Sequence, residues 1–117
     1  MSICEYNGCN KTIDLSHDDK LCHFHAPIDK KGISGEEFNE RIFNQIYEND
    51  FIFEGYIFPA GIKFDNIEFN KGVYFGNTIF LGAFKDTDQV EYCATFRKVK
   101  FKSNVYFTGA KFSGGVI

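Results

Sequence analysis

Phenylalanine recurs at regular steps through the second half of this 117-residue chain. The steps alternate between five and six residues, apart from one step of four and one longer gap before residue 96. An α-helix repeats every ~3.6 residues and a β-strand every two, so neither element by itself explains this spacing. A period that persists over most of a segment indicates a tandem repeat. The recurring positions are Phe53, Phe58, Phe64, Phe69, Phe75, Phe80, Phe84, Phe96, Phe101, Phe107 and Phe112.

Small or β-branched residues usually stand two positions before each of these Phe residues. Positions two apart on an extended chain point to the same side, so each unit would turn two side chains inward before a corner. Edges of this kind would bond to the edges above and below, with the Phe rings stacked in columns. Fifteen Phe and six Tyr with no Trp favour β structure. The inward partners are Tyr56, Ile62, Ile67, Val73, Thr78, Gly82, Ala94, Val99, Val105 and Ala110.

The units AGIKF, DNIEF, RKVKF, SNVYF and TGAKF resemble those of the pentapeptide-repeat family. In that family the central residue is Leu or Phe, and the residue two before it is small. The resemblance covers about residues 51–117 and implies a mainly β fold, a right-handed quadrilateral β-helix with four edges per coil. Each buried ring would contribute about 1.5–3 kcal/mol. The expected structural core is Phe53, Phe58, Phe64, Phe69, Phe75, Phe80, Phe96, Phe101, Phe107 and Phe112.

Two features depart from the family pattern. Every second step is six residues long, so alternate corners gain a residue, often beside Gly61, Gly72 or Asn104. The stretch at 81–95 breaks the rhythm, and it can be threaded either as two six-residue steps or as an excursion. The polar run KDTDQ favours an excursion loop at 85–91.

Three cysteines and a histidine near the N-terminus have the spacing of a metal site. They follow the pattern C-x4-C-x12-C-x2-H. Zinc takes four such ligands in a tetrahedron, and two short loops can present them. A set of three Cys and one His leaves no position for water, so the sequence predicts a structural zinc site. The predicted ligands are Cys4, Cys9, Cys22 and His25, with His23 as an alternative to the less favoured spacing.

The stretches CEYNGC and LCHFH resemble a short zinc knuckle pair that is common in bacterial and phage proteins. That motif occurs on many domains, so it implies metal binding without implying one activity. We expect residues 1–32 to form this module, which depends on its metal because so short a segment lacks a core. Disulfides are the poorer interpretation, since cytosolic thiols stay reduced. Glu5 is the only obvious carboxylate nearby, which argues against catalysis.

One helix is predicted at about 35–48. Ser34, followed three residues later by Glu37, is a capping-box pattern. Apolar residues then recur at helical spacing. We expect residues 33–50 to cap the N-terminal end of the repeat region, because an uncovered end would pair with other chains. The predicted apolar stripe is Phe38, Ile42, Phe43, Ile46 and Tyr47.

Charge divides the chain unevenly. Residues 1–50 carry five Lys and Arg against ten Asp and Glu, whereas residues 51–117 carry eight against six. The run RKVKFK would point four cations outward if Val99 and Phe101 face inward. Such a face suits nucleic acid or an acidic protein. The predicted basic face is Arg97, Lys98, Lys100, Lys102 and Lys111.

The sequence contains no serine nucleophile with a nearby histidine and no phosphate-binding loop before a helix. We therefore expect a non-enzymatic scaffold or protein-interaction module. The alternative is a nucleic-acid-associated protein or a modulator of DNA gyrase or another topoisomerase, an activity that the family resemblance implies for some members. DNA mimicry of that kind needs a strongly acidic surface, and the repeat region has a net charge of +2.

The polar stretch MSICEYNGC is not that of a signal peptide, and no apolar run is long enough to span a membrane. We therefore expect a cytoplasmic, bacterial protein with no membrane partner. Cys93 is expected to be a packed thiol, and His17 a solvated side chain. The repeat persists through TGAKFSGGVI without a visible cap, which predicts either a homodimer through the C-terminal coil or a longer array.

Overall fold

The computed structural model describes residues 2–13 and 16–117. Short β-strands dominate the described residues, and one α-helix precedes them. A loop-rich segment with three of the cysteines comes first, and a 3₁₀ turn at Ile28–Lys30 leads to the helix. Mainly β structure preceded by one helix is therefore confirmed. The predicted module at 1–32 includes Met1, Asp14 and Leu15, which lie outside the described residues.

Helix α1 spans Gly35–Tyr47, one residue short of its predicted end. The Ser34 hydroxyl accepts a hydrogen bond from the Glu37 amide at 3.1 Å, which satisfies a donor that the start of a helix cannot pair internally. The Glu37 carboxylate pairs with Arg41, one turn later, at 2.8 Å. The helix is therefore capped by Ser34, while Glu37 supports the exposed face.

Helix α1 buries a narrower face than the sequence predicts. Phe38 and Ile42 are fully buried, but Tyr47 is 90% exposed and Phe43 is 39% exposed. Gln45 takes the next inward position. Its side-chain amide donates to a strand-edge carbonyl, which an apolar side chain could not do. The prediction that Tyr47 belongs to the apolar stripe is therefore wrong.

Eleven short strands follow α1 in the described part of the chain. They are β1 (Ile57–Phe58), β2 (Ile62–Lys63), β3 (Glu68–Phe69), β4 (Val73–Tyr74), β5 (Ile79–Phe80), β6 (Phe84–Lys85), β7 (Glu91–Thr95), β8 (Lys100–Phe101), β9 (Val105–Tyr106), β10 (Lys111–Phe112) and β11 (Gly115–Val116). The sheets are β1–β5–β10, β2–β7–β11 with β6 beside β7, β3–β8, and β4–β9. These are separate sheets of short strands rather than one closed solenoid.

Parallel partners are separated by one of two distances along the chain. Ile57 pairs with Ile79, 22 residues later, whereas Ile62 pairs with Ala94, 32 residues later. The shorter distance equals two five-residue and two six-residue steps of the Phe repeat. The longer distance contains ten additional residues, which lie between β5 and β7.

The pairing divides the strand region into three levels, each hydrogen-bonded to the next. The first level is residues 51–69, the second is 73–101 and the third is 105–116. Ile52 lies outside the named strands but pairs with Tyr74 in the same parallel sense. Equivalent residues of successive levels therefore lie above one another.

The ten additional residues belong to an antiparallel hairpin formed by β6 and β7. Lys85 pairs with Glu91, and the Asp86 amide donates to the Val90 carbonyl at 3.0 Å. The predicted loop at 85–91 is thus a hairpin with a polar turn. The sequence did not reveal the pairing, because its strand residues show no clear alternation beside the turn.

Phe rings stack across the levels. The centroids of Phe58 and Phe80 are 4.5 Å apart, and those of Phe80 and Phe112 are 4.7 Å apart. Phe101 and Phe107, in the second and third levels, are 38% and 41% exposed, because their stacking partners lie on one side only among the described residues. The buried core rings are Phe53, Phe58, Phe64, Phe69, Phe75 and Phe80.

A left-handed residue forms the corner in each five-residue step. At the first such corner the Tyr56 amide donates to the Phe53 carbonyl at 3.1 Å. Gly and Asn adopt this conformation at low cost, whereas a Lys there is strained. The sequence signal for these corners is therefore the residue two positions after Phe. The corner residues are Gly55 (φ +70°), Asn66 (+63°), Asn77 (+55°), Lys98 (+56°) and Gly109 (+75°).

Candidate metal centre

Two tight loops bring the predicted ligands together. In the first loop, the Cys9 amide donates to the Tyr6 carbonyl at 2.9 Å. Gly8 adopts φ +87° in this turn, a conformation that favours glycine. An antiparallel bridge between Ile3 and Thr12 closes the base of the loop.

The second loop is built around Cys22. Its carbonyl accepts the amide protons of His25 and Ala26 at 3.1 and 2.8 Å. Its amide donates across the site to Sγ of Cys4 at 3.2 Å. A donor aimed at sulfur stabilises the thiolate, which is the form that binds metal. The two loops are therefore joined at the cluster itself.

The four ligand atoms have the separations of a tetrahedral site. Zn–S bonds of about 2.3 Å and Zn–N bonds of about 2.0–2.1 Å place sulfur atoms about 3.8 Å apart and nitrogen about 3.6 Å from sulfur. Sγ of Cys9 lies 3.9 Å from Sγ of Cys22. Nδ1 of His25 lies 3.5 Å from Sγ of Cys4 and 3.3 Å from that of Cys22. All four ligand atoms lie within 4.8 Å of one another, which is compatible with a metal ion.

His25 is held by contacts around its ring. Nε2 lies 2.8 Å from the Glu54 carbonyl oxygen. A carbonyl only accepts, so Nε2 carries the proton and Nδ1 presents its lone pair to the cluster. Tyr6 stacks on the ring at 4.0 Å, and Tyr56 meets it edge-on at 5.1 Å. Burial lowers the pKa of His25, which favours the neutral form that binds metal.

His23, the alternative ligand, is not part of the four-residue cluster. Its buried ring lies beside Phe24, at 4.2 Å between centroids. Glu5 and His17 are exposed. The structure thus brings together His25 with the cysteines, and it places the other histidines elsewhere.

Burial opposes ionisation of the thiols. It raises the pKa of Cys22 to about 12, and it also raises the pKa of Cys9. Neighbouring sulfur atoms add to this effect at Cys22, because several thiolates repel one another. A bound cation would compensate this charge. Four side-chain donors fill a tetrahedron, which suits a structural ion rather than a catalytic one.

Lys31 supports the second loop, and sequence reasoning missed it. The side chain is 1% exposed, and Nζ donates to the carbonyls of His23, Phe24 and Ala26 at 2.9, 3.2 and 2.8 Å. Nζ also lies 4.8 Å from the ring centroid of Phe38 in α1. Burial lowers the pKa of Lys31 to about 7. In the sequence, the polar run IDKKG gave no sign that this lysine is buried.

Arg97, the first residue of the predicted basic face, is surrounded by carboxylates. It pairs with Asp86 and lies 3.5 Å from Asp88 and 4.0 Å from Asp65. Asp86 is buried and also accepts from Lys63. The Thr87 amide and then Lys63 lower the pKa of Asp86 to about 2. Arg97 therefore serves this local network of charges.

The four lysines of the predicted basic face do not share one sheet. Lys100 lies in β8, whereas Lys111 lies in β10 of a different sheet. Lys102 lies 3.6 Å from Glu68, and Lys98 occupies a left-handed corner. Lys98, Lys100 and Lys111 are exposed.

Cys93 lies apart from the metal cluster. The side chain is buried, and its sulfur lies 3.6 Å from the Gly114 carbonyl. It is a packed thiol that joins β7 to the segment before β11. No helix within 2–13 and 16–117 has the length and apolar character to cross a membrane.

The functional argument depends on this geometry. Comparison with protein-family models, with curated proteins and with solved structures finds no match to the chain. The pentapeptide-repeat resemblance therefore stays a prediction. The described residues establish a cluster of three Cys and one His, compatible with a metal site, beside a region of short parallel strands.

Proposed function

We propose that this protein is a non-enzymatic, protein-interaction scaffold of the pentapeptide-repeat type, stabilised by a structural zinc ion. The observation that carries the proposal is the strand register of 22 residues, lengthened to 32 by one hairpin. Two five-residue and two six-residue steps supply four sides for each coil. The strand region then winds as a right-handed, four-sided β-helix filled with Phe rings, which leaves no internal pocket for a substrate.

Zinc is the proposed ion because of the donor set. Three thiolates and one imidazole prefer zinc to harder cations such as magnesium or calcium. Cys4, Cys9, Cys22 and His25 would hold it, with Glu54 orienting the imidazole. Free thiols in this arrangement suit the reducing cytoplasm.

An exposed ladder of side chains supports protein binding. Ile52, Tyr74 and Tyr106 lie in register on neighbouring levels and are 57%, 41% and 42% exposed. The two tyrosine rings stack at 4.9 Å and 8°. Aromatic side chains are enriched at the centres of protein interfaces, because they combine apolar area with a polar tip. A protein partner is therefore preferred to a small molecule.

Nucleic-acid association is the second candidate, and the exposed lysines Lys98, Lys100 and Lys111 favour it. Binding of this kind would weaken steeply with salt. A mobility-shift titration at two salt concentrations tests it. Affinity that does not fall with salt, or no shift at all, contradicts nucleic-acid binding by these lysines.

The zinc proposal is tested by metal analysis of protein purified without chelator. We expect one zinc ion per chain. Cobalt substitution should give the absorption of a tetrahedral ion with three thiolates. The Cys93→Ser variant is the matched control and should keep its metal. Protein that folds with no metal bound contradicts the proposal.

The scaffold proposal is tested by comparing two outward-facing pairs. The variant Tyr74→Ser with Tyr106→Ser should lose a protein partner captured by the wild type. The control pair, Glu68→Ser with Lys100→Ser, removes registered outward residues of another sheet and should keep that partner. Equal capture by both variants contradicts binding through the ladder. Light scattering of the same samples tests the proposed homodimer through the C-terminal coil.

A further inference from the structure

Backbone groups at the strand edges of one level bond to the level before it. Tyr74 and Gly76 supply carbonyls that accept from first-level amides, and Ile79 donates back to a first-level carbonyl. The same three bonds recur one level later, so each strand position has a fixed type of partner. Between the first two levels they are Phe53 N–H to Tyr74 O, Gly55 N–H to Gly76 O and Ile79 N–H to Tyr56 O, at 2.8, 2.9 and 2.9 Å. Between the second and third they are Phe75 N–H to Tyr106 O, Asn77 N–H to Thr108 O and Lys111 N–H to Thr78 O, at 2.8, 2.9 and 2.8 Å.

The corresponding groups of the first level face the N-terminal module and α1 instead of another strand level. Each still meets the same kind of partner. The Ile52 and Glu54 carbonyls accept from side chains, and the Ile57 amide donates to a backbone carbonyl. The bonds are Gln45 Nε2–H to Ile52 O at 3.0 Å, His25 Nε2–H to Glu54 O at 2.8 Å, and Ile57 N–H to Phe24 O at 2.9 Å.

Aromatic rings continue across the same boundary. Phe38 of α1 meets Phe58 edge-on at 5.2 Å, and Phe58 in turn stacks on the second level. Phe24 stacks on Tyr56 at 4.5 Å and 6°. The module and helix therefore supply both the hydrogen-bond partners and the ring contacts that another level would supply.

We propose that the metal-binding module acts as a substitute strand level, and that metal binding closes the edge of the first level at residues 52–57. His25 connects the two events, because Nδ1 faces the cluster while Nε2 holds the Glu54 carbonyl. Phe24, which accepts from Ile57, lies between the ligands Cys22 and His25. This inference rests on the proposed metal site and assigns it a coupled partner, the first strand edge.

Two kinds of capping contact make the coupling separable. The contacts from His25 and Phe24 belong to the metal loop. The contacts from Gln45 and Asn39 come from α1, where Asn39 donates to the Gly61 carbonyl at 3.0 Å. Binding energy at one site changes the stability of groups that are ordered with it, while groups ordered independently do not respond. Metal removal should therefore open the edge near 54–57 and leave the third level closed.

Amide hydrogen exchange of the full chain tests the inference, with zinc bound and after chelation. The Ile57 amide, bonded to Phe24, should exchange at least about tenfold faster without metal, a typical size for coupling between two sites. The Lys111 amide holds the equivalent position in the third level and should keep its protection. Faster exchange at Ile57 alone supports the inference. Unchanged exchange at Ile57, or equal loss at Lys111, overturns it.

A substitution separates metal binding from edge closure. The variant His25→Cys supplies a fourth thiolate but no ring donor for Glu54, so cobalt should still bind while metal protects Ile57 less than in the wild type. Gln45→Leu is the control and should leave the metal response at Ile57 unchanged. Wild-type protection in His25→Cys overturns the role of the ring. Absence of metal binding by the wild type contradicts the proposed function, whereas metal binding with an unresponsive Ile57 contradicts only this inference.

Discussion

The N-terminal module and the strand region reach stability by different means. The module buries few large apolar side chains and relies on four ligand atoms and the buried ammonium of Lys31. The strand region relies on stacked rings, six of which are buried Phe side chains in the first two levels. The difference shows that short segments without a core need strong polar contacts, whereas a repeat gains stability from each added level.

The largest effect expected is from Cys22→Ser. Loss of a fully buried ligand should weaken metal binding by more than about 100-fold, beyond the loss typical of supporting residues. The module should unfold, because metal binding supplies its folding free energy. Metal content and amide spectra of the full chain measure this. Retention of the second and third levels sharpens the contrast between the regions, and their collapse would break it.

Phe64→Ala tests the other side of the comparison. Phe64 is fully buried and stacks on Phe96 at 5.1 Å, so truncation should lower the free energy of unfolding by about 3–5 kcal/mol. Phe101→Ala is the matched control; that ring is 38% exposed, and its loss should cost about 1–2 kcal/mol. Urea unfolding measures both. Equal losses would show that burial does not order the core contributions.

Lys31→Met examines the polar support of the module. Removing the ammonium leaves three buried carbonyls without their donor, which should cost about 1–3 kcal/mol. Metal affinity should fall as well, since the loop that carries His25 loses its support. The exposed neighbour Lys30 provides the control, Lys30→Met, which should change neither quantity. Thermal unfolding with competitive metal titration distinguishes the two variants.

Lys98→Gly should give the smallest effect and the opposite sign. Lys98 has φ +56°, and replacing it with glycine should raise the free energy of unfolding by about 1 kcal/mol by relieving the left-handed strain. Lys100→Gly, in a neighbouring strand, should lower stability instead. Denaturant midpoints of the two variants measure the difference. A destabilised Lys98→Gly would mean that the side chain contributes more than its backbone costs.

The repeat and the ligand spacing were predictable because they are local patterns. Steps of five and six between Phe residues placed the strands, and the spacing of Cys22 from His25 favoured the histidine that joins the cluster. The hairpin of β6 and β7 was not predictable, since a polar run is typical of a loop and of a hairpin turn alike. The corner at Lys98 was also missed, because lysine is not a residue that favours positive φ.

The sequence by itself determined that rings recur with one period and that four metal donors stand in two pairs. Only the tertiary structure decided what closes the first level: the amide of Gln45, the ring of His25 and the carbonyl of Phe24. It also decided that Arg97 faces carboxylates rather than a partner. The physical reason is that periodicity depends on neighbours along the chain, whereas a hydrogen-bond partner depends on which distant segments fold against each other.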